Sequence, residues 1–195
     1  MKNQQPKLLN LKELFTGNYI IPIYQRDYAW TEKEIKQMLD DIFSVMKSKD
    51  NYYIGTLIVY PRNNGNQVVY ETIDGQQRVT TLMILMTYLL NNKELSEILK
   101  NQSYLINSSD LIQHLEFDSR ERSTKSLKAL AENEFNDATD NITEAYGIID
   151  KYLSKKSAEG KTLFISYLIN LVKILRVEVP EDTDLNHYFE IMNSR

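Results

Sequence analysis

Ile73-Asp74-Gly75-Gln76-Gln77-Arg78-Val79-Thr80-Thr81-Leu82 joins two segments of opposite character. Before it, Val68 to Ile73 is rich in β-branched and aromatic residues; after it, Val79 to Leu90 is almost continuously apolar. The reading is a strand, a tight turn and a buried helix, with the polar groups gathered at the joint. A helix N-terminus offers unpaired N–H groups and partial positive charge, Gly75 permits close backbone approach, and Arg78 adds a forked cationic donor. Two glutamines and an arginine stand where a purely structural first turn would carry Asp or Glu. The pattern suits a bound anion, above all a phosphate. The same residues also make an ordinary Asp-Gly turn with Asp74 as helix cap, and at this level both readings stand.

Working outward, Tyr52 to Tyr60 is the clearest strand, and Asn63-Asn64-Gly65-Asn66 is a hairpin turn leading into the strand that delivers Asp74. Gly55 inside that strand marks either a close backbone approach or a bulge. Thr31-Glu32-Lys33-Glu34 opens a helix with a capping box, and Ile35, Met38, Leu39, Ile42, Phe43 and Met46 mark its apolar face. Between lies Ile21-Pro22-Ile23-Tyr24-Gln25-Arg26-Asp27-Tyr28-Ala29-Trp30, dense in aromatic and polar groups and periodic in neither sense. It is a loop whose rings either anchor it to the core or bind something. Further upstream, Leu8 to Phe15 reads as a short helix, and Tyr19 to Ile21 as a short strand that Pro22 pushes to a sheet edge.

Downstream, residues 94–100, 123–135, 139–153 and 161–172 read as helices. Leu115 to Arg122 interrupts them with an extended piece carrying Arg120 and Arg122, by default solvated charge. Ile174 to Val179 alternates as a strand, and Asp182 or Thr183 caps a last helix. The fold class is therefore α+β: a mixed α/β part over residues 1–91, a helical segment over 92–172, and a returning strand and helix over 173–195.

With 195 residues the chain can bury one sizeable core, and 42% apolar with 26% charged residues is a globular composition. The absence of cysteine excludes disulfides, thiolate metal sites and a cysteine nucleophile, and fits a cytoplasmic protein. Nothing resembles a signal peptide or a transmembrane run. A net charge of −4 argues against a general nucleic-acid coat but leaves room for a local basic pocket. No G-x-x-x-x-G-K-[ST] or G-x-G-x-x-G motif occurs, and His114 and His187 match no metal-ligand spacing. The end at Asn193-Ser194-Arg195, directly after the apolar run Leu185, Tyr188, Phe189, Met192, suggests a piece of a longer protein.

Five stretches, 21–30, 53–56, 73–82, Phe117-Asp118-Ser119-Arg120 and 188–195, follow the order seen in GmrSD-type, modification-dependent restriction systems, whose N-terminal domain this chain resembles over nearly its whole length. The Asp-Gly-Gln-Gln-Arg core is the most specific of them. The resemblance implies a ParB/sulfiredoxin-like fold at the N-terminus. It also implies a domain that binds and hydrolyses a nucleoside triphosphate with Mg2+, coupled to a nuclease domain that cuts foreign or modified DNA. Sulfiredoxin chemistry itself is excluded, because it needs a cysteine. Carried onto this sequence, Gly75, Gln76, Gln77 and Arg78 would cradle phosphate, and Asp74 would orient water or a metal-bound phosphate. Tyr24, Gln25 and Arg26 would close the pocket, and Arg120 and Asn193 would complete its rim. The alternative is a DNA-recognition module in which Trp30 and the tyrosines stack on bases while Arg26, Arg120 and Arg122 meet phosphates.

Overall fold

The computed structural model describes residues 5–65, 67–134, 140–180 and 183. These form an α+β fold in which one six-stranded mixed sheet is packed against helices. The strands are β1 (Lys7–Leu9), β2 (Asn18–Ile21), β3 (Tyr52–Asn64), β4 (Gln67–Asp74), β5 (Leu115–Phe117) and β6 (Val172–Glu178). Across the sheet they run β1-β6-β3-β4-β2-β5. The β3–β4 hairpin and the β1–β6 pair are antiparallel; β3–β6, β2–β4 and β2–β5 are parallel. Alternate residues are buried, as a sheet with one covered face requires: Tyr19 and Ile21, Leu57 and Val59, Leu115 and Phe117, Val172 and Ile174.

The helices are α1 (Leu11–Leu14), α2 (Glu32–Val45), α3 (Gln76–Asn91), α4 (Lys93–Asn101), α5 (Ser108–Leu111), α6 (Glu121–Ala131), α7 (Asn141–Leu153) and α8 (Ala158–Asn170). Thr31 opens α2 with the expected capping box: Glu34 accepts from the Thr31 backbone N–H at 2.9 Å and from its hydroxyl at 2.7 Å. At the centre stands α3, which the sequence marks by being apolar nearly all round. Every residue from Gln76 to Leu89 except Arg78 is buried, and the helix is surrounded by α4, α5, α6 and α7. Its first turn therefore belongs to a helix whose side chains are almost all buried.

Two expectations are corrected. Leu8 and Leu9 lie in β1, antiparallel to β6, and the helix begins only after Asn10, whose side chain caps it. Strand β2 is interior: β4 flanks one side and β5 the other, because Pro22 follows the last strand residue and its missing N–H falls outside the ladder. The extended piece read within the 92–172 segment forms β5, which extends the sheet beside β2, with the Asp118 N–H donating to the Ile21 carbonyl at 2.9 Å. Helix boundaries also move: α6 runs Glu121–Ala131 where the pattern suggests 123–135, Ser157 caps α8 earlier than expected, and Val172 belongs to β6. Asp182 and the expected last helix lie outside the described residues.

Burial of tyrosine hydroxyls gives the fold a pH signature. Tyr28, Tyr88, Tyr104 and Tyr152 are all raised well above the ordinary value of 10.0, burial being the largest cause in each; neighbouring Asp150 and Asp40 reinforce it at Tyr88 and Tyr152. A group whose folded value is raised stabilises fully below its unfolded value and loses that stability as pH climbs toward the folded one, because the unfolded chain gives up protons first. Melting temperature is expected to fall steeply once pH passes 10.0, with the tyrosinate absorbance of these four side chains, read as the difference from their Tyr→Phe variants, appearing in step with unfolding. Ionisation of these four ahead of unfolding would contradict the burial of their hydroxyls.

Candidate functional site

The N-terminus of α3 is set by contact with the neighbouring strand. Gly75, its N-cap, has φ +92, and a Cβ there would stand 2.7 Å from the Thr56 carbonyl oxygen and 3.2 Å from Leu57 Cα. Both are backbone atoms of β3 and have no room to yield, so glycine is dictated by the approach of the chain's own strand. The turn that the sequence reads as a ligand cradle is thus also the place where α3 is seated on the sheet.

Across this turn lies the 22–30 loop, held by side chains from several directions. Gln77 clamps it from α3: its Oε1 accepts from the Ala29 N–H at 2.8 Å and its Nε2 donates to the Asp27 carbonyl at 2.9 Å. One turn on, the Thr81 and Tyr28 hydroxyls are hydrogen-bonded at 2.8 Å. Gln25 donates to the Ile73 carbonyl at 2.7 Å, and the Tyr24 hydroxyl donates to the buried carboxylate of Glu71, which Arg62 also pairs. From the β5–α6 turn, Arg120 donates to the carbonyls of Ile23, at 3.0 Å, and Gln25, and lies 3.0 Å from the Asp27 carboxylate. Asn141, at the start of α7, donates to the Tyr28 carbonyl at 2.7 Å.

Stretches far apart in sequence therefore meet around one helix end: 21–30, 53–56, 73–82 and 117–120. Of the residues singled out, Tyr24, Gln25, Gln77 and Arg120 spend their polar groups on holding the loop. The side chains of Arg26 and Asp74 are exposed and form no hydrogen bond or ion pair with a described residue. Gln76 is only 6% exposed, and its amide makes no hydrogen bond with a described residue. Asn193 lies outside the described residues.

Arg78 points elsewhere, toward β3. Its Nη1 donates to the Thr56 carbonyl at 3.0 Å, and the guanidinium covers Gly55, where a Cβ would come within 2.6 Å of Cζ. Gly55 has φ +129, so the glycine serves both the strand's unusual backbone and the arginine seated on it. Among the described residues Arg78 has no carboxylate within ion-pairing distance. It lines a cavity of about 300 Å3 between α2 and the first residues of β3, together with Trp30, Met38, Asp41, Tyr52 and Ile54. Burial raises the Tyr52 hydroxyl and the negative charge of Asp41 raises it further, while the Arg78 charge pulls it back. A second cavity, of about 270 Å3, lies on the other side of the loop, between Asp27 and the starts of α6 and α7.

Sequence pattern alone did not disclose the loop-holding work of Gln77, Arg120 and Asn141, since a side-chain bond to a distant carbonyl leaves no periodic trace. It also missed Asp41 and Tyr52 as neighbours of Arg78. The one available signal was Gly55, a glycine in an otherwise β-branched and aromatic strand, which marked the close approach without naming its partner.

Among the described residues no group of three or more His, Cys, Asp or Glu side chains could hold a metal, and no helix is long and apolar enough to cross a membrane. A family model for the N-terminal domain of the GmrSD restriction endonuclease matches residues 8–195. A search of curated proteins found no match.

Proposed function

We infer function from one premise, that this chain belongs to the GmrSD restriction endonuclease N-terminal-domain family and is thus a component of a phage-defence restriction system. We propose that it binds, and with Mg2+ hydrolyses, a nucleoside triphosphate, and that this turnover regulates a nuclease outside the 195 residues. The observation that carries the reading is Arg78: a half-buried guanidinium at the start of the central helix, without a carboxylate partner among the described residues, facing a cavity of about 300 Å3. A half-buried cation without an ion-pair partner favours an anionic guest, and a triphosphate supplies the charge.

The other residues divide by what they have free. Arg26 and Gln76 have donors to offer a ligand, whereas Gln77, Gln25, Tyr24 and Arg120 position the loop that carries Arg26. Mg2+ normally reaches such sites held by one or two carboxylates and the substrate's own phosphates. The single exposed carboxylate of Asp74, beside Gly75, fits that arrangement, and the absence of a larger acidic cluster among the described residues is compatible with it. Bound there, the metal would neutralise developing phosphate charge.

The reading is tested by thermal unfolding with nucleoside triphosphate and Mg2+. A rise in melting temperature that Arg78→Ala abolishes is the expected result. Calorimetry showing no binding of any common triphosphate at millimolar concentration would overturn it. The alternative, a DNA-recognition module without hydrolytic activity, has the exposed Arg26 and the cavity-lining Trp30 in its favour, and predicts salt-dependent binding that distinguishes modified from plain duplexes.

A further inference from the structure

The cavity beside Arg78 has a composition that phosphate recognition alone does not call for. Trp30, Met38, Tyr52 and Ile54 give it aromatic and apolar walls, and Asp41 and Glu34 bring carboxylates into it, with Lys33 at the same wall. Phosphates are not bound by indole rings, thioethers or carboxylates. Trp30 is half-buried, and among the described residues its ring stacks on no other ring and its indole N–H has no hydrogen-bond partner. Asp41 accepts from the Gln37 amide at 2.7 Å, which leaves a carboxylate with acceptor capacity to spare. Arg78 uses one N–H on Thr56 and keeps its remaining donors. A flat apolar wall beside a carboxylate acceptor within one cavity of about 300 Å3 matches a planar heterocycle that presents N–H groups at its edge, and leaves the remaining Arg78 donors for an anionic group attached to it.

We propose that the cleft between α2 and β3 is a nucleobase slot in which the base of the bound nucleotide stacks on Trp30 and is read at its edge by Asp41, with Arg78 serving the anionic part of the same molecule. The proposal rests on the triphosphate-binding reading and extends it by placing the base. Trp30 is then a ligand-contacting residue, and α2 becomes the wall that decides which base is accepted, through Asp41.

Trp30 is the only tryptophan in the chain, so its fluorescence reports on the slot directly. Four titrations of the intact chain separate the parts: nucleoside triphosphates, the corresponding nucleosides, inorganic tripolyphosphate and plain duplex DNA. Nucleosides and triphosphates should quench the indole emission, with a preference among bases that Asp41→Asn changes; tripolyphosphate should bind by calorimetry without comparable quenching. Calorimetry with Trp30→Ala should show tenfold or greater weakening toward nucleotides, unchanged tripolyphosphate binding, and substantial rescue by Trp30→Phe, since any aromatic face can stack on a base.

The outcomes are distinct. Nucleotides that bind without affecting Trp30 fluorescence would overturn the slot and leave triphosphate binding standing. Nucleosides that quench while tripolyphosphate fails to bind would keep the slot and remove the triphosphate reading. Quenching by duplex DNA with no response to nucleosides would overturn the slot, as would loss of tripolyphosphate binding in Trp30→Ala, which would mark Trp30 as scaffold.

Discussion

Gly55→Ala is expected to remove the nucleotide-induced rise in melting temperature as completely as Arg78→Ala does, although it deletes no polar group. An added methyl at Gly55 would overlap the Arg78 guanidinium, 2.6 Å from Cζ and 2.8 Å from Nη1, so the guanidinium must leave both the glycine and the Thr56 carbonyl. Losing charge-assisted hydrogen bonds costs about 1.5–3 kcal/mol each, which corresponds to roughly tenfold to hundredfold weaker binding. Stability falls too, because φ +129 is a region that side chains rarely adopt, and the strain is of order 1–3 kcal/mol. The two causes separate in a double-mutant cycle followed by denaturant midpoints. With Arg78→Ala already present the overlap disappears and only backbone strain remains, so Gly55→Ala should cost measurably less in that background. If the two losses simply add, and Gly55→Ala alone leaves nucleotide binding intact, then Arg78 is not seated where its function requires.

The coupling of Gly55 to Arg78 also shows what the chain discloses before it folds. Patterns that depend on local periodicity read well: α2 with its Thr31 capping box, the β3–β4 hairpin around Asn63 to Gly65, and a central helix apolar on all sides. Each reflects energetics confined to neighbours in sequence. What did not read is what depends on distant backbone. Strand β2 lies inside the sheet because β5, nearly a hundred residues later, comes to rest beside it, and no feature of Tyr19 to Ile21 announces that partner. Similarly, Arg120 looks like surface charge in its own segment and becomes half-buried only because the carbonyls of Ile23 and Gln25 arrive next to it. The grouping of the candidate site was legible as a set of quoted stretches. The division of labour within it, with Gln77 and Arg120 gripping the loop while Arg78 turns to the cleft, was not.

Gln77→Leu is expected to free the loop without unfolding the protein. Leucine keeps nearly the volume of the buried side chain and an apolar fit against the core, but it abandons the Ala29 N–H and the Asp27 carbonyl. Both belong to exposed residues that water can reach once the loop lifts, so the penalty is a net hydrogen-bond loss and not a fully stranded polar group. Two such bonds at about 1 kcal/mol each place the opening of the loop roughly 2 kcal/mol closer, a factor of about 30 in its open population. Amide exchange within residues 22–30 should accelerate by that order, while exchange in α3 stays close to its original rate because Val79 to Leu89 remain packed. Gln77→Glu supplies a second reading of the same clamp. One carboxylate oxygen still accepts from Ala29, but the other faces the Asp27 carbonyl where a donor stood, so half of the grip is replaced by repulsion. It also adds negative charge to the turn in which a triphosphate is proposed to bind, so nucleotide affinity should fall further in Gln77→Glu than in Gln77→Leu. Equal exchange rates in the loop for wild type and Gln77→Leu would mean that Arg120, Gln25 and Asn141 hold it without help from Gln77, and the link between loop and central helix would have to run through Tyr28 and Thr81 alone.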